Sequence, residues 1–81
     1  MKTVIPLDRL WLAEREGLVW RLLRKDTKGV YRLDEEWEGP RRSLYTRLAA
    51  YGIQPSRDAE EQLALLPEQL GFRRDEDIEK V

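Results

Sequence analysis

Hydrophobic and polar residues alternate most clearly between Leu18 and Trp37, and this alternation predicts a β-hairpin. In the centre of the stretch, Asp26-Thr27-Lys28-Gly29 has Asp at the first position of a type I turn and Gly at the fourth, where a positive φ costs nothing. With Lys25 placed opposite Val30, side chains alternate between the two faces of the ribbon. One face then collects Leu18, Trp20, Leu22, Tyr31, Leu33 and Trp37.

This pairing places Arg21 across from Asp34, an opposite-charge pair that helps to fix the register. A rival interpretation continues one helix from Asp8 through Lys25. Several apolar residues support it, because Leu18, Val19, Leu22 and Leu23 also fit helical spacing. Such a helix would have to pass through Gly17, so the hairpin is our prediction and the helix remains an alternative.

Two short elements are predicted before the hairpin. Met1 to Ile5 is β-prone and predicts an edge strand beside the hairpin, ended by Pro6. Asp8 is a suitable N-cap for a helix from Arg9 to Glu16, with Gly17 as the residue that closes it. A helix this short is stable only when it packs against another element, so we expect it to lie on the sheet.

Helical spacing dominates after the hairpin. Pro40 is well placed to begin a helix that reaches Tyr51 and is closed by Gly52. Ser56 predicts the cap of a second helix, Arg57 to Leu66, and Pro67 to Leu70 would form one further turn. The residues expected to face inward are Leu44, Leu48, Tyr51, Ala59, Leu63 and Leu66.

Together these elements predict a small α+β domain. A β-hairpin, or a three-stranded antiparallel sheet if the N-terminal strand joins it, would be covered by three short helices. We expect residues 1–72 to form this single domain, with Phe72 anchoring its end, and residues 73–81 to form a charged, flexible tail. The alternative is an all-α helix-turn-helix bundle.

Catalysis is poorly supported, because the 81 residues include neither Cys nor His. The chain therefore lacks a thiol nucleophile and a general base suited to neutral pH. Asp34-Glu35-Glu36-Glu38 is better explained as a solvated strand end than as paired carboxylates in a cleft, and no glycine-rich phosphate loop is present. We predict a non-enzymatic protein with no cofactor, no metal site and no small-molecule substrate.

Composition also bears on location. No apolar run approaches eighteen residues and no signal-peptide pattern is present, so we predict a cytoplasmic protein with no membrane partner. The absence of Cys fits a reducing compartment. Because Cys and Asn are both missing and Arg outnumbers Lys, the composition also resembles that of thermophilic proteins.

The net charge of −1 does not indicate a polycation, but the charge is unevenly distributed. Residues 1–52 contain eleven basic and eight acidic side chains, and residues 53–81 contain four and eight. The helix opening at Pro40 would present free backbone N–H groups beside two guanidinium groups, an arrangement suited to phosphate. We therefore predict a regulatory nucleic-acid-binding protein that uses Arg41, Arg42, Ser43, Arg47, Lys28 and Arg32.

The segment from Arg41 to Ile53, RRSLYTRLAAYGI, resembles the recognition helix of Fis/NtrC-type helix-turn-helix proteins, which commonly reads SRRTLYRRLKRYGI. The family's preceding helix has no counterpart here, because a hairpin signal and Gly39-Pro40 occupy its place. We therefore do not assign the chain to that family. The resemblance implies that Arg41, Arg42, Ser43, Tyr45 and Arg47 would face DNA, while Leu44, Leu48 and Tyr51 would face the core.

The second functional class is protein binding. Three Trp residues are a large aromatic content for so short a chain, and surplus aromatic residues often anchor interfaces. In this alternative the protein is a docking adaptor or inhibitor of a larger enzyme, or a homo-oligomer, and it binds its partner through Trp11, Trp20 and Trp37.

Overall fold

The computed structural model describes residues 2–66, and in this part of the chain four strands are followed by two helices. Each strand pairs antiparallel with its neighbour in sequence, so the sheet order is β1-β2-β3-β4. The α+β prediction is confirmed in outline and the all-α bundle is not supported. The elements are β1 (Lys2–Pro6), β2 (Trp11–Glu16), β3 (Val19–Lys25), β4 (Tyr31–Glu38), α1 (Arg42–Tyr51) and α2 (Arg57–Ala64).

The helix predicted from Arg9 to Glu16 is wrong, because this segment forms β2. Asp8 does act as a cap, but its Oδ1 accepts the backbone N–H groups of Leu10 and Trp11, both at 2.8 Å, within the β1–β2 turn. The sequence signals for this turn and for a helix N-cap are similar. Paired on both sides by strands, the segment adopts the period of two that suits a sheet.

The N-terminal strand is confirmed, although it lies beside β2 rather than beside the hairpin. Gly17 does not close a helix. With φ at 61°, it is the first residue of the two-residue turn that joins β2 to β3. This turn replaces the predicted helix end, so the sheet has four strands instead of three.

The β3–β4 hairpin is confirmed, and its turn lies where the sequence predicts. Asp26 Oδ1 accepts the N–H groups of Lys28 at 2.8 Å and Val30 at 2.9 Å, and Gly29 has a φ of 82°. The Asp26 N–H donates to the Val30 carbonyl, so the loop contains three residues. As a result Lys25 pairs with Tyr31 rather than with Val30.

A bulge at Asp34 shifts the register a second time, because Leu23 pairs with Leu33 while Leu22 pairs with Glu35. Arg21 consequently lies opposite Glu36, not Asp34. The predicted apolar face is wrong for Tyr31 and Leu33, which point away from the helices, and for Leu18, which lies in the β2–β3 turn. Trp20, Leu22 and Trp37 remain together on the helix-covered face.

Both helices follow the sequence closely. α1 begins two residues later than predicted and ends at Tyr51, as predicted, where Gly52 with a φ of 71° closes it. α2 ends at Ala64, two residues before the predicted Leu66. Ser56 caps α2 by accepting the Ala59 N–H at 3.1 Å. Tyr51 is exposed rather than buried. The core between the helices and one face of the sheet contains Ile5, Leu7, Ala13, Trp20, Leu22, Leu44, Leu48, Ile53, Ala59 and Leu63.

Three predictions concern residues outside the described part: the turn from Pro67 to Leu70, the anchoring role of Phe72, and the tail at 73–81. Within residues 2–66, neither helix has the length and apolar character needed to cross a bilayer.

We expect the β3–β4 turn to make stability depend on pH through Asp26. Hydrogen bonds from Val30 and then from the Arg32 side chain lower the pKa of this carboxyl. Its contribution is therefore present above the ordinary Asp pKa and is lost as pH falls through the folded-state value. The difference in unfolding free energy between the native chain and Asp26→Asn should shrink as pH falls from about 7 to about 3, measured by denaturant titration.

The charge-matched control is Glu38→Gln, at the exposed end of β4. Its difference from the native chain should change much less over the same pH range. Equal pH dependence in the two variants would contradict a specific role for the Asp26 carboxylate.

Candidate nucleic-acid interface

The predicted phosphate site at the start of α1 is occupied by contacts within the protein. Arg41 turns its guanidinium toward the end of α2, where Nη1 lies 3.1 Å from the Leu63 carbonyl oxygen, 3.2 Å from that of Ala64 and 2.7 Å from that of Leu66. The last carbonyls of a helix lack the usual N–H donor four residues on, and a cation is favoured there by the helix dipole. Arg41 therefore caps α2 and joins it to α1.

Ser43 and Arg47 hold α1 against β4. The Ser43 hydroxyl accepts the Trp37 indole N–H at 2.8 Å and donates to the Pro40 carbonyl. Arg47 Nε donates to Glu35 Oε2 at 2.9 Å, and its guanidinium carbon lies 4.1 Å from the centroid of the Trp37 ring. Both side chains serve the packing of helix on sheet in this structure.

The six predicted residues do not form one surface. Lys28 and Arg32 lie at the β3–β4 turn, whereas Gly39 and the start of α1 lie at the other end of that hairpin, next to Leu18. Seven residues of strand separate the two ends, a distance of about 20 Å. Arg42 is exposed on α1, away from the turn.

The structure instead gathers basic residues at the end of the sheet that carries the β1–β2 and β3–β4 turns. We call this the turn end and define it as residues 7–12 and 23–33. The two turns are linked directly, because the Lys25 N–H donates to the Leu10 carbonyl at 2.7 Å. The turn end contains two acidic residues, Asp8 and Asp26, and five basic ones, Arg9, Arg24, Lys25, Lys28 and Arg32.

Two of these arginines are direct cross-strand partners. Arg24 on β3 pairs in register with Arg32 on β4, and both line a cleft of about 400 Å³. Directly opposed like charges destabilise a sheet. Asp26 Oδ2 lies 2.8 Å from Arg32 Nε and compensates one of the two charges, while Asp34 also lines the cleft.

Arg24 is a basic residue beside the predicted turn, but it is not among the six predicted site residues. Its pairing with Arg32 depends on the three-residue loop, which the predicted register does not contain. Its closeness to the turn is visible in the sequence, but its pairing with Arg32 is not.

An aromatic pair lies beside Arg24. Its guanidinium carbon is 5.7 Å from the centroid of the Trp11 ring, and the Trp11 and Tyr51 rings are 5.2 Å apart. Hydrogen bonding of the Tyr51 hydroxyl to Asp34 and then to Glu35 raises the pKa of Tyr51. The phenol therefore stays neutral and ties the end of α1 to β4.

The three Trp residues predicted to bind protein differ in accessibility. Trp20 is 1% exposed and is part of the core, so its ring has no surface to offer a partner. Trp37 stacks on Trp20 and is covered by Arg47. Trp11 is half-buried and remains accessible at the turn end.

Within residues 2–66 no group of three His, Cys, Asp or Glu side chains is arranged to hold a metal ion. Comparison with protein-family models, curated proteins and solved structures found no match for this chain.

Replacing Arg41 should destabilise the protein, because Arg41→Ala leaves three carbonyls at the end of α2 without their charged donor. Hydrogen bonds to a charged group contribute about 1.5–3 kcal/mol, so we expect a loss of about 2 kcal/mol in unfolding free energy and a fall of about 10 °C in Tm. Thermal unfolding followed by circular dichroism measures both.

The control is Arg57→Ala, because the Arg57 side chain is 93% exposed at the start of α2. Its Tm should stay within about 2 °C of the native value. If the two variants lost equal stability, the capping role of Arg41 would be wrong.

Proposed function

We propose that this protein is a non-enzymatic binding module that contacts the phosphate backbone of a nucleic acid through the turn end of its sheet. The observation that best supports this function is the pair Arg24 and Arg32, opposed in register at the wall of one cleft. A phosphate bound between two guanidinium groups would compensate both charges and accept several hydrogen bonds.

The surrounding charge favours an anionic ligand. The turn end has a net charge of +3, while the rest of the sheet, with Glu14, Glu16 and residues 34–38, is acidic. Among the described residues, Arg9, Arg24 and Lys28 have no carboxylate partner within salt-bridge distance. Their charges therefore add to the local positive potential that attracts a polyanion.

The aromatic neighbours favour a single strand over a duplex. Trp11 lies next to Arg24, Tyr51 lies next to Trp11, and both present ring surface on which an unpaired base can stack. We do not expect α1 to read the major groove. Arg41, just before α1, and Arg47, within it, are both hydrogen-bonded inside the fold. The expected binding is electrostatic and tolerant of sequence.

Binding can be tested by fluorescence anisotropy with labelled single-stranded and duplex oligonucleotides over a series of salt concentrations. Each phosphate contact to a single strand contributes about 0.7 to the slope of log K against log salt. The double variant Arg24→Gln/Arg32→Gln should therefore bind more weakly and lower that slope by about 1.4.

The control Arg42→Gln/Arg57→Gln removes the same charge from exposed helical positions. It should keep the native slope. Absence of binding at low salt, or equal weakening in both double variants, would overturn the proposed function and leave a protein-docking role as the better candidate.

A further inference from the structure

The sheet face that points away from the helices, here called the open face, has an apolar row across all four strands. The pairs Pro6–Leu12, Leu12–Leu23 and Leu23–Leu33 are successive cross-strand partners. Leu33 is 56% exposed, and Leu12 and Leu23 are half-buried without cover from α1 or α2. A contiguous row of this kind is more than a scatter of single exposed apolar residues.

On one side of the apolar row the open face is acidic. Arg21 lies between carboxylates, with Nη1 at 3.7 Å from Glu14 and 3.4 Å from Glu16, and with Nε at 2.7 Å from Glu36. Lys2 adds the second basic group of this side, 3.9 Å from Glu14. Glu38 on the last strand raises the number of carboxylates to four, so this side carries a net charge of −2.

On the other side of the row, toward the turns, the open face has the opposite character. Lys25 lies over Tyr31, with its Nζ 5.3 Å from the ring centroid. Lys28 follows in the turn, where the Asp26 carboxylate is already engaged by backbone N–H groups and by Arg32. The apolar row therefore separates an acidic side from a basic one.

We infer that a second copy of this chain covers the open face, in a two-fold dimer whose axis runs along the apolar row. Rotation about that axis places each row of leucines on its counterpart and exchanges the acidic and basic sides. The row that Lys25 and Tyr31 of one copy then face is Glu14, Arg21 and Glu36 of the other. Lys25 meets Arg21 flanked by the two carboxylates, so the row has a net charge of −1, and Tyr31 meets Glu36. Two sheets packed face to face in this way form a sandwich about 10 Å thick.

The size of the face sets the expected affinity. Four strands at about 4.8 Å and six residues at about 3.3 Å give a face of roughly 20 by 20 Å. This is at the small end of specific interfaces, so we expect a dimer with a Kd on the order of micromolar. The Arg24 and Arg32 side chains lie on the other face of the sheet, and the dimer does not depend on the proposed nucleic-acid binding.

Sedimentation of the full chain from about 1 to about 200 µM, without nucleic acid, measures this association directly. The native chain should shift from monomer to dimer mass. Leu33→Glu places a carboxylate on the axis and should raise the Kd at least roughly tenfold. The matched control Leu65→Glu, at a position 85% exposed beyond α2, should leave the Kd unchanged.

A charge exchange tests the orientation. Lys25→Glu and Glu36→Lys should each weaken the dimer, and the double variant should recover most of the native affinity, because each copy then presents the reversed pair to the other. Circular dichroism confirms that each variant is folded. A monomer at every concentration overturns the inference, whether the open face is then bare or covered by another segment of the same chain. An equal loss of dimer affinity in the Leu33 and Leu65 variants also overturns it.

Discussion

Two stacked indoles between two guanidinium groups hold the sheet in register and attach the helices to it. Trp20 and Trp37 are cross-strand partners whose rings are 6.3 Å apart and nearly parallel, at 9°. Arg15, the partner of Trp20 on β2, has its guanidinium carbon 4.6 Å from the Trp20 ring, and Arg47 on α1 covers Trp37 at 4.1 Å. Each contact adds about 0.5–2 kcal/mol beyond the burial of apolar area, so the set favours one pairing of three strands. Arg15 is only 4% exposed, and burying a charged group is costly unless it has a favourable contact. The face of the Trp20 ring provides such a contact.

The polar edges of the same indoles determine how the chain leaves the sheet. Trp20 Nε1 donates to the Gly39 carbonyl at 3.0 Å, and Trp37 Nε1 donates to the Ser43 hydroxyl at 2.8 Å. These two bonds connect β3 and β4 to the loop and to the first turn of α1. Because Ser43 and Arg47 are bonded to β4 in this way, the start of α1 connects the helices to the sheet. The resemblance of this segment to a recognition helix therefore reflects its amphipathic spacing, and the strand before it replaces the first helix that a helix-turn-helix requires.

The sequence predicts the elements whose signals are local and fails where the deciding contact is distant. The Asp26–Gly29 turn, the Ser56 cap and the Gly52 helix end each depend on a few adjacent residues, and all three are found. Arg9 to Glu16 was assigned to a helix because Asp8 satisfies nearby N–H groups in either structure, and only pairing with β1 and β3 selects the strand. The bulge at Asp34 has no local signature. It brings Trp37 opposite Trp20, whereas the three-residue loop alone brings Arg32 opposite Arg24, so the core stack and the candidate site depend on two separate shifts of register.

The opposition of Arg24 and Arg32 contrasts with the rest of the sheet. Elsewhere the directly paired charges are complementary, as where Arg21 lies between Glu14 and Glu36. Like charges placed opposite each other weaken a strand pair, and Asp26 compensates only the Arg32 side. An anion that binds both guanidinium groups removes this repulsion in the folded chain and has no comparable site in the unfolded one. Binding at the turn end should therefore be coupled to stability of the β3–β4 hairpin, with the gain rising logarithmically with ligand concentration above its Kd.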